Sequence, residues 1–308
     1  MPFRAKGRAL GSLAAIAAGL LLLTGAVHAI AWGEPDGDRH PATGALFLQF
    51  DPAKFSLPEP GVPAGILPVC SGSVVARNGD RALFLTAGHC VVALLNSMDG
   101  FAPLDPAPVV SFSGDLHADL GVTIPVDMST LYFQLGLSGP PVAIGALPDF
   151  DDIGLLVLQA QSAADVPDPL ELPWPGLLDA LGQRELRHSE FRVIGFGDDV
   201  TPPTPHTRVM EFGLRQIGYP RPINLGEKYL LAQQNGPSGS SGIYFGDSGG
   251  PAFWVEPSTG EERLVAINGG PLGAVNVAPF VAHHGQYYRL DTPHALAFIE
   301  GARLAEGF

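Results

Sequence analysis

Two short segments, far apart in the chain, contain the residue types that nucleophilic catalysis needs. The first, Gly246-Asp247-Ser248-Gly249-Gly250-Pro251, places a serine among glycines, so the backbone can turn sharply and leave N–H groups pointing outward. The second, Thr86-Ala87-Gly88-His89-Cys90, places a histidine at the end of a predicted strand and beside a cysteine. A serine hydroxyl is a poor nucleophile until a base removes its proton, and histidine is the usual base near neutral pH. Ser248 is therefore the predicted nucleophile, and His89 is the predicted general base and acid.

Two further groups would complete this chemistry. An imidazole base needs a carboxylate to orient it, and Asp152 is the best candidate because it begins an apolar run that predicts a buried strand. The competing candidates are Asp149, Asp151 and Asp119. The backbone N–H groups of Gly246 and Ser248 form the predicted oxyanion hole, which stabilises the charge that develops on a carbonyl oxygen.

The first 29 residues predict a secretory signal peptide. They contain no acidic side chain, and three positive charges precede an apolar run that ends in small residues at Ala26-Val27-His28-Ala29. This pattern predicts cleavage after Ala29, which would leave residues 30–308 as the mature, exported chain. The alternative is an uncleaved membrane anchor, because the apolar run is nearly long enough to span a bilayer.

Charge and composition limit the possible partners. Removing Arg4, Lys6 and Arg8 with the signal peptide would change the formal net charge from −14 to −17. Such an acidic surface argues against nucleic acid or an anionic membrane as a partner. We expect a protein or peptide substrate, a monomer, and no stable membrane association once the signal is removed.

No metal or cofactor is predicted. The acidic cluster at Asp149, Asp151 and Asp152 lacks the regular alternation of a calcium-binding loop. The histidines other than His28, His89 and His294 also lack metal-ligand spacing. They are His40, His117, His188, His206, His283 and His284.

The mature chain is predicted to be rich in β-strands. Residues 72–76, 82–86, 155–159, 191–195, 229–232 and 264–267 are apolar or alternating, and Gly, Pro, Asn and Asp separate them. Asn78-Gly79 predicts a hairpin turn, and residues 161–185 form a predicted connector between two halves. Long helices are not expected, except at the C-terminus, where Asp291 or Thr292 could cap a helix. The pattern favours an all-β protein with two barrels.

The order His89, Asp152, Ser248, together with the motifs around these residues, resembles the chymotrypsin-like (trypsin-like) serine proteases. The resembling motifs are Cys70-Ser71-Gly72-Ser73-Val74-Val75 before the histidine, Val193-Ile194-Gly195-Phe196-Gly197 at the start of the second half, and Tyr287-Tyr288-Arg289-Leu290 before the last helix. The resemblance implies two packed antiparallel β-barrels with a C-terminal helix. It places the N-terminal barrel at about 30–158, a linker at about 159–190, the second barrel at about 191–290 and the helix at about 292–304.

The resemblance also implies a secreted endopeptidase with a Cys70–Cys90 disulfide, which agrees with the presence of only two cysteines in an exported chain. It further implies an activation pair between a free Ile30 terminus and Asp247. The segment between His89 and Asp152 is longer than usual for the family, so we expect residues 97–141 to hold an insertion over the substrate cleft.

The predicted substrate pocket also follows from the resemblance. Its floor would be Gly242, one wall would be Asn268-Gly269-Gly270, and Gly285 would line the opposite wall. Since no carboxylate is at the floor, the pocket is expected to prefer an uncharged or aromatic side chain.

Two other functions fit parts of the pattern. Residues 246–250 match the G-x-S-x-G pattern of esterases, and Asp291 and His294 could supply the acid and the histidine. Against this, Pro251 and a predicted strand follow the serine, where an α/β-hydrolase has a helix. The second alternative is a catalytically inactive homologue that acts as a binding module.

Overall fold

The computed structural model describes residues 30–49, 66–100, 107–136, 150–197, 213–235, 238–272 and 284–308, so the predicted signal peptide lies outside the described residues. The strands are β1 (Glu34–Pro35), β2 (Thr43–Gln49), β3 (Ile66–Asn78), β4 (Arg81–Thr86), β5 (Val109–Ser111), β6 (Thr123–Leu135), β7 (Asp152–Gln159), β8 (Phe191–Gly195), β9 (Gln216–Gly218), β10 (Arg221–Leu225), β11 (Tyr229–Gln233), β12 (Pro251–Val255), β13 (Glu262–Leu272) and β14 (His284–Arg289). The helices are α1 (Gly88–Gly100), α2 (Leu177–Leu186) and α3 (Pro293–Glu306), with a 3-10 turn at Ala163–Asp165.

Six antiparallel strands close into a barrel in the order β2-β3-β4-β7-β6-β5. The predicted hairpin is confirmed, because Asn78 of β3 pairs with Arg81 of β4 across a turn that contains Gly79 in a left-handed conformation. Strands β4 and β7 also run antiparallel, with Thr86 opposite Gly154. The residues that follow β4 and those that begin β7 therefore lie at the same end of the barrel.

The second half is an open sheet of eight strands in the order β1-β9-β8-β12-β13-β14-β11-β10. The prediction of an all-β fold with a closed barrel and a C-terminal helix is confirmed, whereas the second barrel is not closed among the described residues. The edge strand β1 is only two residues long, and Pro222 interrupts the other edge strand, β10, beside a bulge. Since β1 pairs with β9, the N-terminal segment belongs to this sheet, and the barrel begins at Thr43 rather than near residue 30.

The C-terminal helix is confirmed, and Thr292 rather than Asp291 is its cap. The Thr292 hydroxyl accepts a hydrogen bond from the Ala295 N–H at 3.2 Å, and Pro293 is in the first turn. Two helices were not predicted: α1 follows the predicted catalytic histidine, and α2 lies within the predicted connector. No helix in the described ranges is long and apolar enough to cross a membrane.

The segment predicted to hold an insertion, residues 97–141, contributes two strands to the barrel. Residues 107–136 contain β5 and β6, and β6 pairs with both β5 and β7 to close the barrel. Ile124 and Val126 are buried while Thr123 and Pro125 are exposed, so the strand alternates as expected for one face against a core. Residues 101–106 and 137–149 lie outside the described part of the chain.

Candidate active site

His89 and Asp152 are hydrogen-bonded to each other at the end of the barrel. His89 is in the first turn of α1, two residues beyond the helix-flanking Ala87, rather than at the end of the strand itself. The Nδ1 atom of His89 lies 2.9 Å from Asp152 Oδ2 and 3.1 Å from Oδ1, and the His89 backbone N–H donates to Oδ1 at 2.9 Å. The Asp152 side chain is 5% exposed and that of His89 is 39% exposed. The carboxylate therefore holds Nδ1 from the interior and leaves Nε2 on the open side.

The competing carboxylates are occupied elsewhere. Asp151 accepts a hydrogen bond from the Tyr288 hydroxyl at 2.9 Å, and Asp119 accepts the N–H of Gly121 at 3.0 Å. Asp149 lies outside the described residues.

A disulfide joins Cys70 of β3 to Cys90 of α1, as predicted. A ring nitrogen of His89 and both sulfur atoms lie within 4.8 Å of one another. The bond therefore anchors the first turn of α1 directly beside the imidazole. Because both sulfurs are committed to the disulfide, they offer no thiolate to a metal ion.

The loop of Ser248 packs against the same end of the barrel. The Ser248 carbonyl accepts the Ser71 N–H at 2.8 Å and lies 3.7 Å from Cys90 Sγ. The following glycine makes this approach possible: a Cβ on Gly249 would lie 2.1 Å from Thr86 Oγ1 and 2.5 Å from the Ser71 carbonyl oxygen. The Ser248 hydroxyl has no hydrogen-bond partner within the described ranges, so no hydrogen bond joins it to His89 here. The hydrogen bond between a catalytic nucleophile and its base often tightens only when substrate binds.

The loop before Ser248 is turned inward by Asp247. This buried carboxylate accepts the N–H groups of Gly197 and Tyr244, each at 2.8 Å. Gly246 has φ of +93°, which favours glycine, and its carbonyl accepts the Ser71 hydroxyl at 2.9 Å. The N–H groups of Gly246 and Ser248 have no acceptor in the described part of the chain. The N–H group of Ser248 and that of Gly246, two residues earlier, are therefore both available to an acceptor.

Ile30 is fully buried against the open sheet, close to the predicted pocket floor. Its N–H donates to Gln216 Oε1 at 2.9 Å, and the adjacent Ala31 accepts the N–H of Gly242 at 3.1 Å. In this uncleaved chain the Ile30 nitrogen is a peptide nitrogen. The predicted ion pair with Asp247 concerns the cleaved chain and stays a prediction.

The predicted pocket glycines enclose an amide that the sequence did not point to. A Cβ on Gly242 would lie 2.3 Å from Gln234 Oε1, and one on Gly285 would lie 2.6 Å from the same atom. Gln234 is fully buried, and its Nε2 donates to the Ile243 carbonyl at 2.8 Å. The two glycines thus make room for a neutral amide at the place where the pocket floor was predicted.

The predicted pocket wall contacts the ring of Tyr229, and the Asn268 side chain bonds it to neighbouring segments. A Cβ on Gly269 would lie 3.4 Å from Tyr229 Cε1, whereas one on Gly270 would meet nothing within 4 Å. Asn268 is buried, and its Nδ2 donates to the carbonyl oxygens of Ile194 and Asp247. This amide connects the wall to the loop of Ser248.

The alternative acid and histidine of an esterase do not pair with each other. Asp291 is buried and bonded to Arg289 at 2.9 Å, and it also accepts the Leu178 N–H. The Nε2 atom of His294 lies 2.8 Å from Gln134 Oε1 and 3.6 Å from Asp151. Pro251 begins strand β12, where an α/β-hydrolase would have a helix.

The comparisons with known proteins give no match, either to a protein-family model or to a curated protein.

Proposed function

We propose that this chain is an exported serine endopeptidase of the chymotrypsin-like type. The observation that carries the proposal is the His89–Asp152 hydrogen bond, with Nε2 left open at the barrel end against which the Ser248 loop packs. The closed six-stranded barrel is compatible with this fold, and the second barrel of the family remains part of the proposal.

In the first half of the proposed reaction, His89 Nε2 removes the hydroxyl proton of Ser248 while the Ser248 oxygen attacks the substrate carbonyl carbon. Asp152 keeps Nδ1 protonated and stabilises the imidazolium that forms. His89 then gives the proton to the departing amine, which leaves an acyl-enzyme. Water, deprotonated by His89, hydrolyses the ester and restores the Ser248 hydroxyl.

The N–H groups of Gly246 and Ser248 would bind the oxyanion in both halves of the reaction. Losing one donor of this kind costs about 100- to 1000-fold in kcat. Their freedom from other acceptors supports this role, since an occupied donor would have to break a bond at each turnover.

Export is part of the proposal, and the disulfide fits an oxidising compartment. Cleavage after Ala29 would convert the buried Ile30 nitrogen, which donates to Gln216 Oε1, into an ammonium group. We propose that it then pairs with Asp247 and stabilises the oxyanion loop, so signal removal would itself complete the enzyme. Amino-terminal sequencing of the exported protein tests this step, and a start well inside the chain would contradict it.

The proposed substrate preference is for uncharged or aromatic side chains. The neutral Gln234 amide beside Gly242 and Gly285 supports this choice, because it provides no charge for Lys or Arg. Strong cleavage after Lys or Arg in a peptide library would contradict the pocket assignment.

Hydrolysis of casein by the exported chain, beside Ser248→Ala and His294→Ala variants, tests the proposed reaction. We expect cleavage by the parent chain and by His294→Ala, and none by Ser248→Ala. Loss of activity in His294→Ala alone would favour the esterase-type arrangement. A folded parent chain that cleaves neither casein nor simple esters would favour a binding module.

A further inference from the structure

Tyr229 has a buried hydroxyl with no hydrogen-bond partner within the described residues. The residue is 1% exposed and begins strand β11. A buried donor without a partner is costly, and the large majority of buried hydroxyl groups in proteins are paired. This position therefore requires an explanation beyond packing.

The ring of Tyr229 is held against the segment that carries Asp152. The Phe150 ring lies 5.6 Å away and the Tyr288 ring 5.4 Å away, both edge-on to Tyr229. Tyr288 in turn donates its hydroxyl to Asp151 at 2.9 Å. Aromatic contacts and a hydrogen bond thus connect Tyr229 to the two residues immediately before Asp152.

On its other side, Tyr229 lies against Gly269 in the predicted wall of the substrate cleft. A Cβ on Gly269 would come within 3.4 Å of Tyr229 Cε1, a ring carbon beside the hydroxyl-bearing carbon. Tyr229 therefore lies between the cleft wall and the carboxylate segment. Its hydroxyl is buried in the interior.

Asp152 has room for another donor. A carboxylate has about four acceptor positions, and in the described residues this one receives hydrogen bonds from the N–H and Nδ1 of His89 alone. Burial raises the pKa of Tyr229, and the charges of Asp152, Tyr288 and Asp151 raise it further. The Tyr229 hydroxyl therefore keeps its proton at every physiological pH and remains a donor dipole.

We propose that Tyr229 is a positioning residue, whose hydroxyl dipole is directed at the buried Asp152 carboxylate and stabilises its charge. A fixed dipole acts strongly on a charge in an interior of low dielectric constant. By stabilising the carboxylate, it keeps Asp152 ionised and oriented toward Nδ1 while His89 gains and loses its proton. This inference rests on the proposed function of His89 and Asp152.

Replacing Tyr229 by Phe separates this role from a structural one. Removing a buried hydroxyl that makes no hydrogen bond relieves its desolvation, and this gain offsets the lost interaction with the carboxylate, so the free energy of unfolding should change little. We expect kcat to fall about tenfold with KM within twofold of the parent value, as for a lost contact to a charged group. Without the dipole, the carboxylate attracts the imidazole proton more strongly, so the lower pH limit of kcat/KM should move upward.

Tyr132→Phe is the matched control, because it removes a hydroxyl that already donates to Glu306 at 2.8 Å. The His89 Nδ1 proton resonance and the His89 titration, both followed by NMR, should change in Tyr229→Phe and not in Tyr132→Phe. These two measurements require no substrate, so they test Tyr229 even if the parent chain hydrolyses nothing. A Tyr229→Phe variant with the parent's Nδ1 resonance, titration and pH profile would overturn the inference.

Discussion

Thr86 and Gly154 are paired opposite each other in adjacent strands of the barrel, and this register brings the candidate catalytic groups together. Two residues before Gly154 is Asp152, and three residues after Thr86 is His89. A side chain at position 154 would not fit, because its Cβ would lie 2.5 Å from Val91 of α1 and 3.0 Å from the Ala87 carbonyl oxygen. The helix that carries His89 can therefore pack directly on the strand that carries Asp152.

Asp152→Asn should abolish most of the activity without unfolding the chain. The amide can occupy the same space, but it favours the wrong imidazole tautomer and stabilises no imidazolium. We expect kcat to fall by about 10^4-fold, as this change does in serine–histidine–aspartate triads. Asp151→Asn is the control, since Asp151 bonds to Tyr288 rather than His89, and a comparable loss there would contradict the assignment.

Gly249→Ala should destabilise the fold and displace the nucleophile. The new Cβ would lie 2.1 Å from Thr86 Oγ1 in a residue with φ of +83°. We expect a loss of about 3 kcal/mol or more in the free energy of unfolding, measured by urea denaturation. Gly260→Ala provides the comparison, because φ is +74° there and nothing lies within 4 Å of the new Cβ. Its backbone strain alone should cost about 1 kcal/mol, and equal losses in the two variants would contradict the steric account.

Removing the disulfide should lower both the free energy of unfolding and the activity. The bond closes a separation of 20 residues, which in the chain-entropy model stabilises the fold by about 3 kcal/mol. Because it also anchors the turn that carries His89, a Cys70→Ala/Cys90→Ala double variant should lose activity under conditions in which it is still folded. Full activity in the folded double variant would show that α1 holds His89 in place without the bond.

A buried charge network should make stability depend on pH. His40 is bonded to Asp36 through Nδ1 and to Glu262 through Nε2 at 2.7 Å, while Arg215 pairs with Asp36 at 2.9 Å and Arg192 with Glu262 at 2.6 Å. Burial lowers the pKa of His40, but the two carboxylates outweigh it and raise the pKa above its usual value. The same contacts lower the pKa of Asp36 and Glu262 against the opposing effect of burial.

The sign of the pH effect follows from these directions. The stabilisation from a protonated His40 is complete below about pH 6.5, its unfolded pKa, and is lost as pH rises through the higher folded pKa. That from Asp36 and Glu262 is present above about pH 4.3 and is lost as pH falls. His40→Gln should therefore cost most stability near pH 6 and progressively less at alkaline pH, as measured by urea denaturation. A cost that does not vary with pH would contradict this account.

The sequence was sufficient to predict the parts of the molecule that depend on local patterns. The apolar runs of β4 and β7 predicted strands, and the position of Asp152 at the start of such a run predicted its burial. Helix α1 was missed because Val91 and Leu94 are buried by packing on the barrel, which no local propensity reveals. Gln234 and Tyr229 were missed for a similar reason. Gly242 and Gly285 leave the space that the Gln234 amide occupies, and Gly269 lies against the Tyr229 ring. Only the folded chain brings these residues together.

The most direct test of the central claim is labelling of the purified protein with a fluorophosphonate, followed by mapping of the modified peptide. We predict a label on Ser248 that disappears in His89→Ala and persists in His294→Ala, because only an activated serine reacts. A folded chain with a free Ile30 terminus that takes no label, or that is labelled at Ser248 equally in His89→Ala, would contradict the proposed nucleophile and base.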